Sequence, residues 1–226
     1  MRPFVHINVA MTADGKIDTV ERAGAAISSP EDKERVDRLR AHSDAAMVGG
    51  RTLLGEDPRL TVRSEALRLE RVARGLAPNP AKVGVVTAAA LKPDARFLHE
   101  GPARILIFTT SSTPPDQVEA LRSAGAQVHV DGGPQVDLQA MLEMLSSEGI
   151  QRVMVEGGGT LNFELLRLGL VDELSVCVAP LIFGGASAPT LADGPGLTRN
   201  EAIALELTQV NRLDDGYLVL EYKVTG

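Results

Sequence analysis

Apolar residues come along this chain in short bursts, each closed by glycine, proline or a polar cluster. Phe4-Val5-His6-Ile7-Asn8-Val9-Ala10 alternates and predicts a first strand, and the Asp-Gly of Met11-Thr12-Ala13-Asp14-Gly15-Lys16 predicts a turn after it. Ser29-Pro30-Glu31-Asp32 has the form of a helix start, with Ser at the cap, Pro in the first turn and acids behind it. Val36, Leu39 and Arg40 then follow at helical spacing. Ala45 to Gly50 predicts a second strand closing on glycines and leading into Arg51-Thr52-Leu53-Leu54; residues 56–63 predict a loop that enters an extended segment. Residues 65–82 are charged, alanine-rich and broken by proline, which predicts a surface excursion with some helix.

The second half repeats one theme. Strands are predicted at Val83–Thr87, Ile105–Thr109, Ala126–Val130 and Glu173–Ala179, with helices at Pro115–Ala124, Leu138–Leu145 and Leu161–Leu168. Leu91 to Pro102 is expected to be irregular. In Val153-Met154-Val155-Glu156-Gly157-Gly158-Gly159-Thr160-Leu161-Asn162-Phe163 a buried strand ends in a carboxylate, passes three glycines and starts a helix. Glycines there let a ligand approach the backbone, and the first N–H groups of the helix suit a phosphate; a tight turn needing positive φ is the plainer reading. Phe183 to Gly196 is a Gly/Pro-rich loop, and strands near 205–210 and 217–223, joined by Asp214-Asp215-Gly216, close the chain as a hairpin.

Strand–helix alternation predicts an α/β fold: a central, mostly parallel sheet, helices on both faces and a C-terminal antiparallel hairpin. No repeat or composition break divides the chain, so residues 1–226 are expected to form a single domain. In open α/β sheets ligands sit beyond the carboxyl ends of the strands. Gly49 to Thr52, Thr87, Thr109 to Ser111 and Glu156 to Thr160 fall at such ends and favour a phosphate-bearing ligand.

Composition narrows the chemistry. With 23 basic and 30 acidic residues, net charge −7 argues against nucleic-acid or anionic-membrane binding, and 3% aromatic residues without Trp leave little for base stacking. One cysteine, Cys177, excludes an internal disulfide and any multi-cysteine metal site, and its apolar strand predicts an inert thiol. The four histidines are scattered without metal-ligand spacing, so no metal is expected. No signal pattern opens the chain and no apolar run reaches spanning length, which predicts a cytoplasmic protein with no membrane partner. Asn162, at the third position after Gly159, breaks a Gly-x-Gly-x-x-Gly fingerprint, no Gly-Lys-Ser/Thr follows, and no Gly-x-Ser-x-Gly elbow exists. What remains is backbone amides, hydroxyls, arginines and one or two carboxylates. Such a set suits a dinucleotide that carries the chemistry itself.

Met11–Lys16, Ile27–Asp32, Met47–Gly49 with Thr52, Asp57–Arg63, Glu156–Leu161, Leu170–Glu173 and Ala179-Pro180-Leu181-Ile182-Phe183-Gly184-Gly185 together resemble the pyrimidine reductase family of riboflavin biosynthesis, in family order and over nearly the whole chain. The resemblance implies a dihydrofolate-reductase-like fold, a homodimer, and NADPH-dependent reduction of a ribosylaminopyrimidine 5′-phosphate to its ribityl product. The bacterial bifunctional members add an N-terminal deaminase; this chain begins at the reductase, so a stand-alone enzyme is implied. Carried over by position, NADPH would meet Ala10, Thr52, Glu56 and the turn Gly158, Gly159, Thr160 and Leu161. The phosphorylated substrate would meet Arg40, Leu60, Arg63 and Glu156, with a nearby contact from Gly24 to Ser28. Arg40 and Arg63 suit a phosphate dianion, and Glu156 suits sugar hydroxyls and is a candidate proton source for the catalytic step.

Three positions depart from the family pattern. Glu56 stands where Asp is usual, and Ala88 stands where a serine commonly touches the cofactor, with Thr87 beside it as the replacement. Arg51 stands where a small residue is common, and it could hold the 2′-phosphate of NADPH as a similarly placed Gly-Arg does in dihydrofolate reductases. The 65–82 stretch is also longer than usual. Two other readings stay open at this point: a related NADPH reductase acting on a pterin or another carbonyl or imine, and an NADPH-binding sensor without turnover.

Overall fold

The computed structural model describes residues 1–225. It contains a mixed nine-stranded sheet, mostly parallel, with helices around it and an antiparallel hairpin at its C-terminal end. The chain divides into two compact units. The first comprises Met1–Pro3 and Asp37–Met154, the second Phe4–Val36 and Val155–Gly226.

In the first unit β2 (Ala45–Gly49), β3 (Ala81–Val85) and β4 (Ile105–Thr110) are buried at every position. That is why they read as mainly apolar bursts, Lys82 in β3 and Thr109-Thr110 in β4 aside: parallel strands covered on both faces need no polar alternation. They pair in parallel with Met47 opposite Val83 and Gly84 opposite Ile107, and β5 (Gln127–Asp131) adds a further parallel strand with Val128 opposite Ile107. The helices here are α2 (Gly50–Gly55), α3 (Glu65–Ala73), α4 (Arg96–His99), α5 (Pro115–Ser123) and α6 (Leu138–Ser147), with β6 (Arg152–Val155) after α6. Leu53, Phe97, Ile107, Val118 and Leu121 belong to the core beneath them.

Two expectations are refined in this unit. Residues 65–78 form the partly helical surface excursion expected, with α3 in their first half, but residues 79–82 turn inward and β3 starts at Ala81; within α3, Arg71 is only 2% exposed. Its guanidinium donates to the carbonyls of Ala77 (2.9 Å), Ala41 (2.9 Å) and Ser43 (2.7 Å). Ala41 ends helix α1 (Pro30–Ala41), so Arg71 serves carbonyls that a helix end leaves without intrahelical partners. Burial lowers the pKa of that guanidinium from its ordinary value, and Asp44 opposes the shift. Leu91 to Pro102 is not wholly irregular. Asp57 accepts from the Arg96 and Phe97 N–H groups (2.7 and 2.9 Å) and so starts α4 from a distant loop, which no local pattern announces.

In the second unit β1 (Phe4–Thr12) and β7 (Glu173–Ala179) pair in parallel with Asn8 opposite Ser175 and Ala10 opposite Cys177. β9 (Leu218–Val224) runs antiparallel to β7 and to β8 (Leu205–Arg212). The hairpin turn falls at Asp214–Gly216, as its Asp-Asp-Gly predicts, with φ of 60° at Asp215 and 83° at Gly216. The first half of α1 starts at Ser29, whose Oγ accepts the Asp32 N–H at 3.1 Å. Cys177 is fully buried and burial pushes its thiol up to about 12, the inert thiol expected of an apolar strand. Helix α7 (Gly159–Arg167) packs Leu161, Phe163, Leu165 and Leu166 inward.

Candidate functional site

In the second unit, Glu156 follows β6 half-buried, and Gly157 has φ of 105°, which a side chain would resist. A cis peptide joins Gly157 to Gly158, and Gly158 caps α7 without a side-chain hydrogen bond to the helix. The first N–H groups of a nine-residue helix therefore have no side-chain cap, and its dipole favours an anion. Gly159 admits no side chain: a Cβ there would fall against the Thr190 carbonyl and the Asp193 carboxylate. The loop it abuts is itself fixed. Asp193 N–H donates to the Gly159 carbonyl (3.0 Å), Asp193 Oδ1 accepts from Thr190 Oγ1 (2.7 Å), and Asn162 Nδ2 donates to the Leu191 carbonyl (2.9 Å). Thr160 is exposed on this turn, whereas Leu161 turns its side chain into the core and can offer a ligand only backbone.

Ala10 and Ser28 lie half-buried in the same unit. Two residues before Ala10, and so on the same face of β1, Asn8 accepts from Arg35 Nη2 at 2.7 Å, while Arg35 also binds Asp32 at 2.8 Å. Neither Arg35 nor Asp32 is marked in the sequence as anything but helix-surface charge, and Asp32 is fully buried. Asp14 in the Asp-Gly turn accepts from Thr12 Oγ1 (2.5 Å), Gly184 N–H (2.7 Å) and Phe183 N–H (3.2 Å); led by the Thr12 hydroxyl, these bonds hold its carboxyl below the ordinary value.

In the first unit, Gly49 caps α2 in an extended conformation, and Gly50 lies so close to Val86 that a Cβ would meet its Cγ2 at 2.8 Å. Arg51 is exposed and Thr52 half-buried on α2; the Thr52 carbonyl accepts from the Glu56 N–H at 3.0 Å, and Glu56 is exposed at the helix end. Thr87 uses its carbonyl to accept from the hydroxyls of Thr109 and Thr110 (3.2 and 2.9 Å), leaving its side chain exposed beside the exposed Ala88.

Arg40, in the last turn of α1, meets the irregular segment that carries Leu60 and Arg63. Leu60 takes a positive φ of 50° and buries its side chain in the core, so it too can present only backbone to a ligand. Arg40 Nη1 donates to the Thr61 carbonyl at 3.2 Å, and Arg63 projects an exposed side chain. Around them stand residues that carry little mark of such a role in the sequence. Asp37 accepts from the Arg63 and Ser64 N–H groups (both 2.7 Å), Arg68 donates to the Val62 and Arg63 carbonyls, and Asn79 accepts from the Val62 N–H at 2.9 Å. The one available signal was the spacing of Asp37, three residues before Arg40 and hence on the same helix face.

No cluster of three or more His, Cys, Asp or Glu among the described residues could hold a metal, and no helix there is long and apolar enough to cross a membrane. The glycine turn, the uncapped α7 and the Arg40–Arg63 segment instead fit anionic, phosphate-bearing ligands.

Comparison with known proteins gives the family. Residues 3–219 match the family described as the RibD C-terminal domain. The chain is 45% identical over 227 residues, all of both chains, to the 2,5-diamino-6-ribosylamino-4(3H)-pyrimidinone 5′-phosphate reductase of Methanothermobacter thermautotrophicus. It is 41% identical over 219 residues, 97% of both chains, to the protein of the same name from Archaeoglobus fulgidus. Among solved structures, a pyrimidine reductase-like protein from Corynebacterium diphtheriae superposes with a TM-score of 0.83 at 19% identity, covering 99% of this chain and 92% of that one. Dihydrofolate reductase from Enterococcus faecalis gives 0.52 at 11% identity, over 99% of this chain and 97% of that one, which places the fold among the dihydrofolate-reductase-like ones. By sequence over nearly its whole length, and with the fold to match, the chain belongs to the RibD C-terminal domain family.

Proposed function

We propose that this chain is an oxidoreductase of riboflavin biosynthesis that reduces the ribosyl group of a ribosylaminopyrimidine 5′-phosphate to ribityl, with NADPH as its cofactor, working as a single reductase domain over residues 1–226. The observation that carries the reading is the turn Glu156-Gly157-Gly158-Gly159: a carboxylate, then a backbone closed to side chains, then an uncapped helix start. Relatives matched end to end and named as reductases of such a phosphate support it.

NADPH, when bound, supplies the hydride delivered to C1′ of the sugar. The protein's own part is binding and orientation, which can supply most of the acceleration when no covalent catalyst is present. In the second unit we assign Gly158, Gly159, Thr160 and Leu161 to the cofactor phosphates through backbone N–H groups, and Ala10 to the cofactor as well. In the first unit Thr52, Glu56 and Thr87 are assigned to the cofactor, and Arg51, an exposed cation, to its 2′-phosphate. Arg40 and Arg63 are assigned to the substrate phosphate, Leu60 to the substrate through its backbone, and Ser28 to a neighbouring contact. Glu156 accepts from the sugar hydroxyls and is the candidate proton donor.

The enzyme is further proposed to be a cytoplasmic homodimer. Exposed apolar side chains support a second copy: Ile182 is 71% exposed, and β8 leaves Leu207 and Val210 more than half exposed. Sedimentation at micromolar concentration checks this, and a monomer there rejects it.

Purified protein, NADPH and the ribosylaminopyrimidine phosphate should yield cofactor oxidation together with the ribityl product by mass spectrometry. Absence of both rejects the assignment. Glu156→Gln should lower turnover while leaving NADPH affinity unchanged; the opposite pattern would move Glu156 to the cofactor.

A further inference from the structure

We propose that Asp37 is a positioning residue for substrate recognition: by fixing the backbone of Arg63 it sets that guanidinium for a phosphomonoester, and so determines the preference for a phosphorylated over a dephosphorylated substrate. The inference rests on the reading above that Arg40 and Arg63 hold the substrate phosphate.

The segment Thr61–Ser64 lies in no helix or strand, so its backbone groups lack a ladder to pair with. Side chains take that place. Arg40 serves the Thr61 carbonyl, Asn79 the Val62 N–H, Arg68 the Val62 and Arg63 carbonyls, and Asp37 the Arg63 and Ser64 N–H groups. Arg63 is thus pinned on both sides of its Cα while its side chain stays exposed.

Arg71 shows what an arginine with a structural task looks like in the same region. Its guanidinium is buried and consumed by backbone carbonyls. Arg63 has the converse arrangement, a held backbone and a presented cation. Holding that backbone costs the chain a carboxylate that is itself only 5% exposed, with two charge-assisted bonds of 2.7 Å. Asp37 also sits one helical turn before Arg40 on α1. One helix face therefore presents one arginine and registers the loop that presents the other. A displacement of Arg63 by a fraction of an ångström would change how both guanidinium groups meet one dianion, because bidentate recognition is geometrically strict.

The test is a double-mutant cycle of Asp37→Asn and Arg63→Ala. It reads kcat and KM for the phosphorylated substrate, inhibition by inorganic phosphate, NADPH affinity and thermal stability. Asparagine keeps the shape but can accept only one of the two N–H bonds. We expect Asp37→Asn to raise KM about tenfold or more, the scale of a lost charge-assisted hydrogen bond, and to weaken phosphate inhibition in parallel. Turnover at saturation and NADPH affinity should stay near the wild-type values. In the Arg63→Ala background, Asp37→Asn should add little, since its effect passes through Arg63. Arg68→Ala, which frees the Arg63 carbonyl, should give the same KM-selective signature and serves if Asp37→Asn does not fold.

Independent, multiplying losses, or a fall in turnover and NADPH affinity together with KM, overturn the proposal by making Asp37 a general stabiliser. If Arg63→Ala alone leaves both KM and phosphate inhibition unchanged, the phosphate assignment itself falls and takes the proposal with it. That outcome is distinguishable because cofactor oxidation would persist.

Discussion

Lys82 should make the stability of this protein depend on pH in a range where most groups are silent. It sits on β3 with no exposed surface, and its ammonium donates to the carbonyls of Phe97 (2.9 Å) and Glu100 (2.6 Å) while lying 5.8 Å from the Phe97 ring centre. Burial pushes the group down to about 8, against the pull of Glu100 and Asp57. In the unfolded chain it returns to an ordinary lysine near 10.5. The charged form is therefore disfavoured in the folded state. Below pH 8 the protein carries the full cost of that buried charge, and between pH 8 and 10.5 the cost is relieved as the folded state loses its proton first. At about 1.4 kcal/mol per unit the complete relief is roughly 3.4 kcal/mol, of which about 2.5 kcal/mol should be realised by pH 10. Lys82→Met keeps the length and apolar stem but leaves the two carbonyls without their donor, a loss that does not vary with pH. Urea unfolding of both proteins from pH 7 to 10 isolates the effect: the stability of the wild type relative to Lys82→Met should climb by about 2 to 3 kcal/mol. A flat difference would falsify the reasoning, and would mean that the two carbonyls and nearby carboxylates compensate the burial completely.

Two other substitutions probe the parts around the proposed sites. Gly159→Ala forces a Cβ against the Thr190 carbonyl and Asp193, neither the free end of a long side chain; we expect a loss of about 1–3 kcal/mol in urea and a fall in NADPH affinity by fluorescence titration. Unchanged NADPH affinity would remove that turn from the cofactor site. Arg71→Met leaves the buried carbonyls of Ala41 and Ser43 without their donor, along with that of the exposed Ala77, and should cost about 3 kcal/mol; a loss under 1 kcal/mol would show that water replaces the guanidinium.

How far the sequence could be read followed from the kind of interaction at each place. The strands were legible because β2, β3 and β4 are buried on both faces, which leaves apolar residues at most of their positions. The start of α1 was legible because Ser29 caps its own neighbour, and the final turn because Asp215 and Gly216 both need positive φ. Helix α4 was not: what starts it is the carboxylate of Asp57, 39 residues away from Arg96. Lys82 reads as the end of a surface stretch and lies instead inside β3, since a lysine whose ammonium binds two carbonyls leaves the same mark in a sequence as a solvated one.

Arginines show most plainly where reading residues in order runs out. Arg63, Arg68 and Arg71 lie within nine positions of one another and are equal as letters. Arg71 closes a helix end, Arg68 holds the carbonyls of a loop, and Arg63 alone has a pinned backbone and an exposed side chain. Each role is set by carbonyls and carboxylates contributed from elsewhere in the chain, and hydrogen bonds between a side chain and a distant backbone leave no period to detect. The glycine turn was visible early because glycine advertises the absence of a side chain at the position itself. The arginine segment became visible only with its supports, of which Asp37 and Arg68 hold the Arg63 backbone from either side, so that removing either should change recognition while sparing turnover.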